Sequence, residues 1–247
     1  MSTDYYIASC VFTARHPELS AAIRRHVGGA LGLPVVRCCV PRYKLRSFTD
    51  KMPEGALREE WQALPDCAGF QPGDTVYSLC HNCSAIIEEQ KPGVRVRSLW
   101  ELLLKDSSFR LPDYGGMRMA VQDCWRARDR RGEQDAVREL LRRMNVEPVE
   151  LAQSHEATEF CGISLLRPAP PRNLKLAPKR YVENARGKFL PHSPEEQEAA
   201  MRAYAATLPQ MPVAVYCHYC EEGLELAGAD VRHLAALIFA GDAEQKA

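Results

Sequence analysis

The cysteines of this chain follow an arrangement that occurs twice. The first half carries a single cysteine, an adjacent pair and a Cys-x-x-Cys motif, at Cys10, Cys38, Cys39, Cys80 and Cys83. The second half carries two separate single cysteines and another Cys-x-x-Cys motif, at Cys124, Cys161, Cys217 and Cys220. Of the ten cysteines, only Cys67 lies outside this repeat. The pattern indicates an internal duplication of one cysteine-bearing unit.

Length and composition restrict the class of protein that can carry such a repeat. The chain has 247 residues, 46% of them hydrophobic, which is enough for one or two domains with a full core. Disulfide staples are therefore not needed, and the many thiols predict a reducing, cytoplasmic location. No apolar run approaches the ~18–20 residues of a membrane span, and the N-terminal residues lack signal-peptide features. The 32 basic and 32 acidic residues balance, which argues against nucleic-acid binding.

Short apolar runs alternate with amphipathic stretches, which predicts an α/β protein. The predicted strands are residues 5–9, 35–37, 75–79, 94–96, 119–122, 146–151 and 213–216. The predicted helices are residues 17–30, 56–64, 84–90, 99–105, 133–144, 193–208 and 231–239. Several of the repeated cysteines lie at the ends of predicted strands, where α/β folds place functional groups.

The spacing of the cysteines points to metal or cluster chemistry. A Cys-x-x-Cys turn that enters a helix brings two sulfurs to one metal, and the helix N-terminus stabilises thiolates. Further cysteines from other strand ends complete an all-sulfur site, which suits zinc or an iron–sulfur cluster. The two Cys-x-x-Cys motifs lie too far apart for a single zinc ribbon, and a thioredoxin-like dithiol would explain only one of them.

The sequence around the cysteines resembles one known family. The matching segments are Ser9-Cys10-Val11, Arg37-Cys38-Cys39-Val40-Pro41, Leu79-Cys80-His81-Asn82-Cys83, Asp123-Cys124, Thr158-Glu159-Phe160-Cys161-Gly162 and Tyr216-Cys217-His218-Tyr219-Cys220. They are similar to the duplicated cysteine-rich CCG domain of heterodisulfide reductase and its relatives. The resemblance covers the chain except residues 167–192, and it implies two pseudo-equivalent α/β lobes, residues 1–92 and 93–247, with cysteine ligands at strand ends.

The resemblance also implies a cofactor and a reaction. In the heterodisulfide reductase branch each five-cysteine set holds a noncubane [4Fe-4S] cluster, and two such clusters cleave a disulfide with electrons from partner proteins. The first half has all five cysteines, whereas Phe160 replaces one of them in the second half. We therefore expect one noncubane cluster at the first site, and at the four-cysteine site either a second [4Fe-4S] cluster, which is preferred, or zinc.

Four more features are candidates for a role at these sites. His81 and His218, inside the two Cys-x-x-Cys turns, are expected to be solvent-exposed turn residues, and Asp123 is expected to cap the turn that follows it. Trp125 and Phe160 are expected to wall the second site with apolar material. Cys67 is expected to be a bystander thiol in a loop.

Two basic segments stand out in this neutral chain. One runs from Trp125 to Arg131, and the other is the proline-rich insertion at residues 167–192. The alternatives are solvated surface, or a lid or docking arm that recruits an anionic substrate or an acidic electron-transfer partner. No nucleotide-binding loop or serine nucleophile motif occurs in the sequence.

The expected function is that of an iron–sulfur redox protein acting on a disulfide or thiol, with electrons from a ferredoxin-like or flavoprotein partner. Two alternatives stay open. One alternative is a non-catalytic electron-transfer or assembly subunit. The other is a zinc-thiolate scaffold without redox activity.

Overall fold

The computed structural model describes residues 2–37, 49, 52–167 and 175–239. It is an α/β structure with two four-stranded parallel sheets, which confirms the expected class. Contacts divide the chain into two units, one ending at Leu102 and the other spanning Leu103–Ile238, with Phe239 belonging to the first unit. Cys38 and Cys39 lie outside the described residues.

The first unit is built on a sheet with the order β2-β1-β3-β4. Its strands are β1 (Asp4–Ala8), β2 (Val35–Arg37), β3 (Thr75–Ser78) and β4 (Arg95–Ser98). Its helices are α1 (Cys10–Arg15), α2 (Pro17–Arg25), α3 (Ala56–Ala63), α4 (His81–Gln90) and α5 (Leu99–Lys105). Tyr6, in the central strand β1, pairs with β2 on one side and β3 on the other.

The second unit repeats this strand order as β6-β5-β7-β8. Its strands are β5 (Met117–Gln122), β6 (Val146–Glu150), β7 (Val213–Val215) and β8 (Val231–His233). Its helices are α6 (Arg131–Arg143), α7 (Pro194–Ala205), α8 (His218–Leu226) and α9 (Leu234–Ile238). In both units the third strand leads into a helix that begins with the Cys-x-x-Cys motif, and the fourth strand runs straight into the next helix.

Local sequence signals account for several helix ends. Pro17 occupies the first turn of α2, where its missing N–H costs nothing. A short π-helical turn (His26–Ala30) follows α2, and Gly32 then takes a positive φ of 67°. The capping box predicted at the start of α7 is confirmed, because the Ser193 side chain accepts from the Glu196 N–H and the Glu196 carboxylate accepts from the Ser193 N–H.

Three sequence expectations differ from the structure. The helix expected over residues 231–239 is wrong at its start, because Val231 pairs with Val213 as part of strand β8 and the helix begins at Leu234. Helix α4 begins at His81 rather than residue 84, so Cys83 lies inside its first turn. The first unit extends to Leu102 rather than residue 92, because β4 pairs with β3 of the first sheet.

No helix in the described parts of the chain is both long and apolar enough to cross a membrane.

Candidate metal centre

The four repeated cysteines of the second unit come together in its interior. Cys124 follows β5, Cys217 and Cys220 belong to the start of α8, and Cys161 lies on the segment between β6 and α7. The Sγ atoms of Cys124 and Cys161 are 3.4 Å apart. The ligand atoms of Cys124 and Cys217 lie within 4.8 Å of each other, and Cys220 interacts with the other three thiols. All four residues are buried, so the structure forms an all-sulfur cluster from three separate chain segments.

The start of helix α8 supplies two of these sulfurs. Cys217 is the N-cap residue, and Cys220 follows within the first turn. The positive end of the helix dipole and the unpaired backbone N–H groups of a first turn favour negative charge on sulfur. The sequence expectation that a strand delivers a Cys-x-x-Cys motif to a helix start is confirmed here.

A glycine lets Cys161 approach that helix. Gly162 has φ +53°, and a Cβ atom at this position would overlap the carbonyl oxygen of Tyr219. On the helix side, a Cβ added to Gly223 would lie 2.7 Å from the Gly162 Cα. Only backbone without side chains can pass this closely. The two glycines therefore permit the Cys161 segment to pack against the first turns of α8.

Asp123 ties together all three segments that carry the cysteines. Its fully buried carboxylate accepts two hydrogen bonds from the Arg138 guanidinium, at 3.0 and 2.7 Å. It also accepts from the backbone N–H of His155 at 2.6 Å and from the Tyr216 hydroxyl at 2.7 Å. Its backbone carbonyl accepts from the Thr158 hydroxyl at 3.1 Å. Asp123, which precedes Cys124, thus holds in place the segment that leads to Cys161 and the residue that precedes Cys217.

This arrangement corrects the expectation that Asp123 caps the following turn. That turn, Trp125–Ala127, has Cys124 at its N-cap position and no side-chain cap. Although burial opposes ionisation, the hydrogen bonds and charge of Arg138 hold the pKa of Asp123 below its ordinary value. The carboxylate is therefore a charged structural link rather than a cap.

The same network has little character as a cation site. Asp123, Glu150 and His155 offer ligand atoms within 4.8 Å of one another. However, the Arg138 guanidinium already binds both carboxylates, with its bonds to Glu150 at 2.7 Å. A bound cation would have to displace this positive charge, so the group acts as an ion-pair network.

A buried arginine faces the sulfur cluster. Arg126 is 3% exposed, and its guanidinium donates to the Ser164 hydroxyl at 3.1 Å and to the Tyr181 hydroxyl at 3.2 Å. The Ser164 hydroxyl lies 3.1 Å from the Cys161 Sγ atom and 3.0 Å from the Cys161 carbonyl oxygen. A positive charge is thus carried to within one hydroxyl group of a cluster sulfur.

These neighbours make Cys161 differ in acidity from Cys124 and Cys220. Burial raises the pKa of Cys124 and Cys220 well above the ordinary value. Burial also acts to raise the pKa of Cys161, but the hydrogen bond from Cys124 and the charge of Arg126 lower it to about 7. Cys161 therefore carries negative charge more readily than Cys124 or Cys220.

Apolar side chains surround the cluster, as expected for Trp125 and Phe160. Both residues belong to the buried core that contains the four cysteines, and Phe160 stacks on Tyr204 with ring centroids 4.1 Å apart. Met201 and Leu224 belong to the same core. A low-polarity surrounding of this kind keeps water away from the sulfurs.

The described part of the basic insertion, residues 175–192, packs over this core. Tyr181 and Ala185 are buried, and the Tyr181 ring lies 4.8 Å from the Arg126 guanidinium carbon. Arg180 forms a bidentate ion pair with Asp129 of the first basic segment, at 3.0 and 2.8 Å. The two basic segments expected to flank one site are thus joined to each other, and part of their charge is neutralised by acidic partners.

The first unit places three of its five expected ligands at one edge of its sheet. Cys10 follows β1 and begins α1, while Cys80 follows β3 and is the N-cap residue of α4, which also carries Cys83. All three are buried, and β1 and β3 are neighbouring parallel strands. The thiols of Cys83 and Cys80 act on the phenol of buried Tyr6, whose pKa is raised above its ordinary value chiefly by burial.

Three other expectations concern exposure. His81 and His218 are buried, at 4% and 3% exposure, so the expectation of solvent-exposed turn residues is wrong. Each is the first residue of a helix whose opening turn packs into the core. Cys67, expected to be a bystander thiol in a loop, is fully buried at the start of a short 3-10 turn.

Sequence reasoning misses Arg126, Ser164 and the Asp123–Arg138 pair as parts of the site. In the sequence Arg126 belongs to a run of arginines that is typical of a solvated face. Arg138 carries a signal, because it lies on the same side of α6 as Gln134 and Leu141, which are also buried.

We compared the chain with models of protein families, with curated proteins and with solved structures, and none of them matches it.

Proposed function

We propose that this chain is an iron–sulfur redox protein of the duplicated CCG type. Its first unit would hold a noncubane [4Fe-4S] cluster, through the five residues Cys10, Cys38, Cys39, Cys80 and Cys83. The observation that carries the proposal is the repetition of one frame, in which two sheets of the same strand order deliver cysteines from corresponding strand ends.

The position of the described ligands in the first unit supports this assignment. The carboxyl ends of parallel strands meet at one edge of a sheet, and Cys10 and Cys80 follow neighbouring strands. Cys83 lies one turn further along α4. Arg37 ends β2, which pairs with β1 on its other side, and Cys38 is the next residue in the sequence. Buried thiols at such an edge are the donor set that iron–sulfur clusters require.

The residues of the first unit would each have a definite task. The five thiolates would hold the cluster, which would supply one-electron redox chemistry when bound. Tyr6 is a neutral phenol that interacts with Cys83 and Cys80, and burial raises its pKa further above the ordinary value. Hydrogen bonds to cluster or ligand sulfur raise the reduction potential of such a centre.

The proposed reaction is the reduction of a disulfide to two thiols. One sulfur–sulfur bond breaks, and the products take up two electrons and two protons. A ferredoxin-like or flavoprotein partner supplies the electrons, since the chain carries no nucleotide-binding motif of its own.

The test begins with anaerobic purification of the full chain. We expect a brown protein with nearly equal amounts of iron and acid-labile sulfide and an electron paramagnetic resonance signal after reduction or oxidation. Replacing Cys10 or Cys83 by Ser should abolish or change this signal, whereas Cys67→Ser, a matched change of a buried thiol outside the repeat, should leave it intact. Equal losses in all three variants would contradict the ligand assignment.

A turnover assay separates the enzyme from the carrier. Disulfide-dependent oxidation of reduced methyl viologen supports the disulfide reductase. A cluster that is reduced and reoxidised without disulfide turnover supports the non-catalytic electron-transfer or assembly subunit. Protein without iron that still folds supports the zinc-thiolate scaffold.

A further inference from the structure

We propose that Cys124, Cys161, Cys217 and Cys220 bind a single tetrahedral zinc ion, and that this ion holds the second unit together rather than taking part in electron transfer. The inference deepens the proposed function, on which it rests, because it assigns the metal of the site that the four-cysteine repeat leaves open. It makes the two units different in kind, one with redox chemistry and the other with a structural metal.

The spacing of the sulfur atoms is the first argument. A zinc ion with four thiolates at about 2.3 Å holds them about 3.8 Å from one another. The Cys124 and Cys161 sulfurs are 3.4 Å apart, and those of Cys124 and Cys217 lie within 4.8 Å of each other. The Cys220 thiol interacts with all three. In a [4Fe-4S] cluster each cysteine binds a different iron, and the inorganic core separates the sulfurs beyond mutual contact. The short Cys124–Cys161 separation therefore favours one shared ion over a four-iron core.

The backbone around the site opposes expansion. Gly162 lies directly against the first turn of α8, so the Cys161 segment and the Cys217–Cys220 turn are already in close contact. Asp123, the residue that precedes Cys124, accepts hydrogen bonds from both segments. A larger cofactor would need these segments to separate, which would break buried hydrogen bonds to a carboxylate.

Charge supplies the third argument. Four thiolates around one zinc ion carry a net charge of about −2, which is costly in an apolar core. Arg126 provides a buried positive charge, linked to the Cys161 sulfur through the Ser164 hydroxyl. Its guanidinium also lies 5.2 Å from the centre of the Tyr219 ring, next to Cys220 in the sequence. The site is thus prepared for an anionic metal–thiolate centre.

The closed ligand set assigns the ion a structural role. Structural zinc sites have four protein ligands, whereas catalytic zinc keeps one position for water or substrate. Here four sulfurs are present, and the core around them includes Trp125, Phe160 and Leu224. Zinc has no redox chemistry of its own, so the ion would contribute to folding and not to disulfide reduction.

The test is metal analysis of the full chain, purified anaerobically from cells supplied with both iron and zinc. We expect about one zinc and about four irons per chain. Cys161→Ser and Cys220→Ser should remove the zinc and leave the iron, while Cys10→Ser and Cys83→Ser should remove the iron and leave the zinc. About eight irons and no zinc in the wild-type protein would overturn the inference.

X-ray absorption at the zinc edge covers the case in which a variant fails to fold. The wild-type protein should show four sulfur neighbours at about 2.3 Å, and nitrogen or oxygen neighbours would refute the assignment. The two proposals fail separately. Zinc without iron contradicts the redox function and leaves this inference standing. Iron in both units contradicts this inference and leaves the redox function standing.

Discussion

The two units share one strand order. They differ in the position of their middle cysteines, which come after the second strand of each unit. In both, a cysteine follows the first strand and a Cys-x-x-Cys motif opens the helix after the third strand. In the first unit the pair Cys38-Cys39 comes directly after Arg37, the last residue of β2. In the second unit the chain runs on from Glu150, the end of β6, to Phe160 and Cys161.

In the second unit the sheet therefore positions two of the three segments that carry cysteines. The third is held in place by local contacts. Cys161 is far from the end of its strand, so Asp123 and the glycine contact must bring it back. The Trp125 N–H adds a hydrogen bond of 2.7 Å to the Phe160 carbonyl. The length and anchoring of the middle segment then decide how many sulfurs meet and how closely.

The surroundings differ as well. Among the described residues, the sulfurs of the first unit lie near the neutral phenol of Tyr6, and those of the second lie near the buried cation Arg126. A positive charge stabilises thiolates, whereas a hydroxyl adjusts their basicity without changing the net charge. We therefore expect perturbations of the second site to affect folding most strongly.

The largest expected effect comes from breaking the Asp123 anchor. Asp123→Asn removes the charge opposite Arg138, and loss of one partner of a buried ion pair costs roughly 3–5 kcal/mol. The value should fall toward the lower figure, because Glu150 still binds Arg138. Chemical denaturation followed by circular dichroism, together with zinc release, measures the change.

Its matched control is the exposed pair Arg131–Asp135 on the same helix as Arg138. Asp135→Asn should change the free energy of unfolding by less than about 1 kcal/mol.

The pH dependence gives a second check. Since the folded protein lowers the pKa of Asp123, its contribution is complete above the unfolded pKa of about 4 and is lost as the pH falls through the folded value. In Asp123→Asn the free energy of unfolding should therefore fall less steeply as the pH is lowered. The same acid dependence as in the wild-type protein would contradict the role given to the Asp123–Arg138 pair.

The glycine contact gives the next largest effect. Gly162→Ala should destabilise the second unit by about 3 kcal/mol, because overlap with the Tyr219 carbonyl adds to the cost of a positive φ. Gly115→Ala has a similar φ of 63° but open space around it, so it should cost only about 1 kcal/mol. Metal content and unfolding of the two variants separate the clash from the backbone strain. Equal losses would mean that the close approach of the Cys161 segment is unimportant.

Phe160 tests whether one residue makes the two sites different. Phe160→Cys restores the missing cysteine, and loss of the stacked ring should cost about 2 kcal/mol. We expect zinc content to stay unchanged, because the four-sulfur contact does not depend on residue 160. Phe160→Leu is the control for packing. Additional iron in Phe160→Cys, absent from Phe160→Leu, would show that the cysteine count alone selects the cofactor.

The sequence predicts the frame better than it predicts the contacts. The short apolar runs predict the strands, and cysteines that follow the neighbouring parallel strands β5 and β7 lie at one sheet edge. The strand that begins at Val231 escapes prediction because its three residues merge into the apolar pattern of α9. Arg126 could not be predicted as a partner of the site, because its role depends on which of several nearby arginines the tertiary fold buries.

The smallest expected effect concerns the hydroxyl between Arg126 and Cys161. Ser164→Ala removes a hydrogen bond to the Cys161 sulfur, which should cost about 1 kcal/mol in stability and weaken metal binding about tenfold. In the cobalt-substituted protein the sulfur-to-metal charge-transfer band should move to lower energy, since a thiolate that accepts fewer hydrogen bonds gives up an electron more easily. Ser164→Thr keeps the hydroxyl and should restore the band. A band unmoved in Ser164→Ala would mean that the charge of Arg126 does not reach the metal through this residue, and the contrast between the two units would then rest on the placement of the middle cysteines in the sequence.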